Sequence, residues 1–151
     1  MSVALHVDLS GLKALEDRID RLAGLSSTSL RQLLDDIGEL VETQTTLRLR
    51  EEKTSPEGAD WPGLDPTYLA RKRKKSSGGT LEFGGDLINS MTHNVIGEAV
   101  EVGSNLVYAA THQEGDEERN IKARPYLGLS SENEDDVADL VDTFIDGLLL
   151  N

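Results

Sequence analysis

The sequence predicts an α+β fold: a small, mainly antiparallel sheet packed by two long helices and a C-terminal amphipathic helix. Three observations carry this. An alternating apolar segment opens the chain, stripes at helical spacing follow it and also close the chain, and a two-residue turn joins two short β-prone runs near the middle. The chain of 151 residues is expected to form a single domain, 1–151, with an extended Pro/Gly and basic loop at about 53–80.

Val3, Leu5, Val7 and Leu9 alternate with smaller or polar residues, the period of a half-buried strand. Ser10 then offers a cap, and Leu12, Leu15, Ile19 and Leu22 predict a helix that Gly24 ends. Ser29 and Gln32 have the spacing of a capping box for a central helix. Leu30, Leu33, Leu34, Ile37 and Val41 form its stripe, and the helix is expected to reach Arg50 or beyond. Pro56, Pro62 and Pro66, with Gly58 and Gly63, predict an ordered, non-helical loop over Lys53–Asp65. Asp65 and Pro66 can start a short helix, whereas Arg71–Lys75 and the Ser-Ser-Gly-Gly after it read as mobile. Asp86 caps a turn containing Leu87, Ile88 and Met91. Thr92–Ile96, the turn Gly97-Glu98 and Val100–Gly103 predict a β-hairpin, and Asn120–Arg124 offers another strand. Ser131 with Glu134 has capping-box spacing. The stripe Val137, Leu140, Val141, Phe144, Ile145 and Leu148 marks the last helix.

Composition excludes several functions. With no cysteine there is no disulfide framework, thiolate nucleophile or zinc ribbon. His6, His93 and His112 leave little material for a metal site, and no nucleophile elbow, HExxH helix or phosphate loop occurs. No catalytic, cofactor-binding or metal residue is therefore assigned. The N-terminus lacks the pattern of a secretory signal, and no run is long enough for a membrane helix, so a soluble, cytoplasmically made protein is expected. A net charge of −13 opposes generic binding to nucleic acid.

The charge is unevenly placed. Arg48 to Lys75 carries eight bases against five acids, whereas Ser130 to Asn151 carries seven acids and no base. Either these are two solvated faces, or copies of the chain attract one another head to tail. The basic run Arg71, Lys72, Arg73, Lys74 and Lys75, near Tyr68 and Trp61, also admits a DNA-binding reading. Trp61, the only tryptophan, is either a pin holding its loop on the core or an interface anchor.

Four blocks in order carry a resemblance: Ser55–Leu64 around Trp61; Leu81 through Gly85-Asp86-Leu87-Ile88-Asn89-Ser90; Val102-Gly103-Ser104 with Tyr108-Ala109 and His112-Gln113-Glu114-Gly115; and Ile121–Gly128. Together they resemble the phage virion morphogenesis family, the Mu-type tail-completion and neck proteins. Tyr126 stands where Phe is usual, Lys122 where Pro is usual, and Gly84 where Thr is usual. The resemblance implies a non-enzymatic virion protein at the head–tail junction of a tailed phage or prophage. It implies a ring, most plausibly six-fold, that completes the tail or neck and touches adjacent tail and connector proteins. A head-side connector or tail-terminator ring is the nearest alternative. Candidate interface residues are then Trp61, Arg71–Lys75, Tyr108, His112, Gln113, Arg124, Asp139 and Asp142, with Arg124 either pairing across a subunit boundary or standing as a surface residue. No cofactor, no membrane and at most transient contact with passing DNA are expected.

Overall fold

The computed structural model describes residues 3–8, 18–75, 80–81 and 85–150. Strand β1 (Val3–Asp8) is followed by α1 (Ile19–Ala23) and the long α2 (Ser27–Leu47), which runs into a π-helical turn (Arg48–Glu52). Then come α3 (Pro66–Lys75), α4 (Asp86–Ser90), β2 (Thr92–Ile96), β3 (Ala99–Ser104), α5 (Ala109–Glu114) and α6 (Ser131–Leu150). The expected α+β class is observed. The expected first helix is described only as the five residues of α1; its remainder, and Leu9 of the first strand, lie outside the described residues.

The sheet is antiparallel throughout, in the order β1-β3-β2. Leu5 faces Val102 and Val7 faces Val100 across one ladder; His93 and Val95 face the same two valines across the other. These residues form one face of the sheet, because successive strand residues point to opposite sides. Helix α2 covers it, and α6 packs against α2. Leu33, Leu34, Ile37 and Val41 of α2 meet Val137, Val141 and Ile145 of α6 over Val100 and Val102 in the main core. The other face presents Ala4, His6, Thr92, Asn94 and Ile96 outward. Phe144 and Leu140 are only partly buried against this core, and Leu148 is exposed, so the C-terminal stripe is narrower than its spacing implies. A second cluster (Leu49, Leu87, Ile88, Met91, Ala109, Tyr126 and Leu127) closes the far end of α2. No described helix is long and apolar enough to cross a membrane.

Several local expectations are corrected. The cap of α2 is Ser26, whose hydroxyl accepts from the Ser29 amide; Gln32 instead donates to Asp36 one turn along. The capping box of α6 also starts one residue earlier than expected. The Ser130 hydroxyl accepts from the Asn133 backbone amide, and the Asn133 side-chain Oδ1 accepts from the Ser130 backbone amide. Asn133 closes the box with the same geometry Glu134 was expected to provide. Asp65 caps α3 as expected, accepting from the amides of Thr67 and Tyr68. Helix α3 then continues through Lys75, so the basic run is helical and the extended loop is shorter than 53–80. Gly85, at φ 75°, takes the cap position before α4, and Asp86 is that helix's first residue. Asn120–Arg124 forms no strand: only the single bridge Asp116–Ile121 is made. Helix α5, with no apolar stripe to announce it, was not expected.

Candidate functional site

The loop after the π-helical turn is folded back on itself by a bridge between Thr54 and Asp60. Trp61 then lies half-buried against the second cluster, its indole N–H donating to the Pro125 carbonyl at 2.8 Å. Arg124, 6% exposed, reaches the same loop from the other side and donates through Nε to Pro62 O and through Nη2 to Gly63 O, both at 2.9 Å. Gln113 of α5 latches the following stretch, its Oε1 accepting from the amides of Tyr126 and Leu127 while Nε2 donates to Leu127 O. Gly128, at φ 149°, seats against Pro56, where a Cβ would meet Pro56 Cγ at 2.6 Å. Three of the four sequence blocks thus converge into one hydrogen-bonded unit. Trp61 is tied within the chain by this bond while staying half-exposed, and two donors of Arg124 serve carbonyls of its own chain. Trp61→Phe keeps an aromatic ring but truncates the indole packed on the second cluster and removes its donor, so a loss of about 1–3 kcal/mol in denaturant stability is expected.

This unit walls a cavity of about 940 Å³ between α3, α5 and the 119–124 segment. Arg71, Lys72, Arg119, Lys122 and Arg124 line it, against the acids Asp65 and Asp86. Asp65 is engaged by backbone amides, and Arg119 is paired to Asp116 at 2.7 Å outside the cavity. Lys72 is buried, and Arg71 and Lys122 are exposed. His112 lines the same wall with Tyr108 edge-on to it, ring centroids 5.5 Å apart. Burial holds the His112 imidazole below its ordinary pKa, and the charges of Arg124, Arg119 and Lys72 push it further down. It is therefore neutral near pH 7. Burial and then Asp86 raise the Tyr108 hydroxyl. Burial lowers the Arg124 guanidinium from its ordinary value.

Of the residues singled out in the sequence, Arg71, Lys72, Tyr108, His112 and Arg124 meet in this cavity, while Trp61 and Gln113 brace its wall. Arg73, Lys74 and Lys75 continue α3, and their side chains lie outside the described residues. Asp139 stands elsewhere, exposed beside a groove of about 340 Å³ that also has Asp36 at its rim. Asp142 is held within the chain by Arg18, at 2.5 and 2.7 Å, which keeps its carboxyl below the usual range. Arg119 and Lys122 were missed, because each stands alone in a polar stretch and only the turn at 116–121 carries it to the cavity. Among the described residues no group of three acidic, histidine or cysteine side chains is placed to hold a metal.

A small α+β unit with a cationic cavity at one place and a helix rich in acids at another is, in physical terms, a domain of separated charge. The chain belongs to the phage virion morphogenesis family, whose model matches residues 11–146. It is similar to a protein of Escherichia phage Mu named for capsid assembly, protein G, at 29% identity over 100 residues. That match covers 60% of this chain and 64% of the Mu protein, so the chain spans under two thirds of its relative's length. No solved structure matches it. Membership makes this a phage structural or morphogenesis protein.

Proposed function

We propose that this chain is a non-enzymatic ring subunit that completes the tail or neck of a tailed phage and joins it to the head. The separation of its charges carries the reading. Five bases gather round one cavity, whereas α6 and its flanks hold seven acids and no base. A subunit that meets its neighbour through two unlike patches closes into a ring when the rotation permits. Its partners are then further copies, six being the number the family resemblance suggests, with adjacent tail and connector proteins above and below. Burial of Lys72 takes one cation out of the basic run and so weighs against a surface for DNA. Native mass spectrometry tests this: the oligomer should dissociate as salt rises from about 50 to about 500 mM, because screening shortens the reach of exposed charges. A monomer at every concentration and salt would overturn the ring. An oligomer indifferent to salt would remove its electrostatic basis.

A further inference from the structure

We propose that the cavity between α3 and the 119–124 segment is a carboxylate receptor, and that its occupant is the acidic face of α6 from a second copy of this chain. The proposal deepens the ring reading and rests on it. Arg124 is almost wholly buried, yet its mapped partners are the neutral carbonyls of Pro62 and Gly63, and among the described residues it makes no ion pair. A buried guanidinium left with neutral acceptors makes the cavity's inner end positive. Arg71 and Lys122 add exposed cations at the wall, also without an ion pair among the described residues, and neutral His112 adds no charge of its own. Such a cavity favours an anion with more than one carboxylate.

The chain itself supplies one. Asp135 and Asp139 are both exposed and stand one helical turn apart, so their carboxylates project from one face of α6 about 6 Å apart at Cβ. Neither has a hydrogen bond or ion pair within the chain among the described residues, unlike Asp142, which Arg18 holds, and Asp136, which takes a bond from Gln44. Two carboxylates at that spacing can meet two cations on opposite walls, with tyrosines 68 and 108, both partly exposed, sheltering the contact from water.

The test uses two full-length variants, each lacking one half of the contact. Arg71→Glu with Lys122→Glu removes the receptor and keeps the acidic face. Asp135→Lys with Asp139→Lys removes the face and keeps the receptor. Each alone should lose self-association by about a hundredfold, as expected when close charge pairs become repulsive. Mixed in equal amounts, the two restore the native pair and also bring the reversed receptor against the reversed face, so they should co-assemble into an oligomer that neither forms alone. That co-assembly also shows that both variants are folded. A wild-type oligomer whose mass and salt response both variants leave unchanged would overturn the receptor and leave the ring standing. A monomeric wild type would overturn both. A wild type that stays monomeric yet binds a single-stranded oligonucleotide, and loses it on Arg71→Glu with Lys122→Glu, would assign the cavity to phosphate and overturn this occupant.

Discussion

Arg48→Ala is expected to destabilise the protein by about 4 kcal/mol, summed from orphaned acceptors at roughly 1 kcal/mol or more each and an unfilled cavity. Arg48 is 2% exposed and the largest of the fully buried side chains. Its Nη1 donates to Tyr126 O at 2.6 Å and Gly128 O at 3.2 Å, and Nη2 donates to Asn133 Oδ1 at 2.6 Å. It thereby fastens the end of α2 to the 124–128 stretch, which frames the cavity, and to the capping box that starts α6. Burial lowers its guanidinium from the ordinary value, with the charges of Glu52 and Glu57 opposing. Arg48→Lys keeps a charge but loses the planar fork, so it should recover only part of the loss. Urea melts check this: the midpoint should fall with little change in slope. An unfolding free energy within about 0.5 kcal/mol of wild type, the range of an ordinary surface change, would show that the fork does not hold these elements together.

The same residue shows where the sequence stops being legible. Arg48 stands one turn after Gln44 and Thr45 at the end of a helical stripe, and nothing in its type separates it from solvent-facing Arg50. Its burial is set by what meets it there, the distant carbonyls of Tyr126 and Gly128 and the side chain of Asn133, while the chain beyond it widens into a π-helical turn that Lys53 ends at φ 57°, its amide reaching back to Arg48 O. Helix α6 and the β2–β3 hairpin were legible because period and turn chemistry are local signals. The cavity was legible only in half: clustered bases flagged Arg71 and Lys72, but Arg119 and Lys122 arrive through tertiary folding of a polar stretch. Helix α5 escaped for a similar reason, since six residues held by Gln113 and Tyr126 need no stripe of their own. Of the two readings of Arg124, the exposed surface residue is overturned, because two carbonyls of a distant loop bury its guanidinium.

Gly38 in mid-helix is another residue whose reason lies across the fold, and Gly38→Val is expected to cost about 3 kcal/mol through overpacking. A Cβ there would meet His93 Cδ2 at 2.5 Å and Val100 Cγ2 at 2.8 Å. Val100 is fully buried and cannot retreat. Nor is the imidazole free to swing aside. It lies between two carboxylates of α2, with Nδ1 2.7 Å from Glu42 Oε2 and Nε2 3.0 Å from Asp35 Oδ1. Even Gly38→Ala, which in an open helix gains about 1 kcal/mol, should here destabilise.

The clamp also gives the substitution a pH signature. Burial alone lowers the pKa of His93, but the hydrogen bonds and charges of Glu42 and Asp35 outweigh it, and the group ends above its ordinary value. Its neighbours on β3, Val100 and Val102, do not titrate. A histidine whose folded pKa exceeds the unfolded value stabilises fully below about pH 6.5, and this is lost as pH rises through the folded pKa. Above about pH 6.5, where His112 with its lowered pKa is already neutral in the folded chain, wild-type stability should therefore decline as pH rises through the raised folded pKa of His93, by a step that His93→Gln abolishes. Gly38→Ala and Gly38→Val displace the ring and should flatten the same step, so their cost should be largest on the acid side. If Gly38→Ala raises stability at every pH and keeps the step, the ring has room to move and this account of the helix–sheet contact fails.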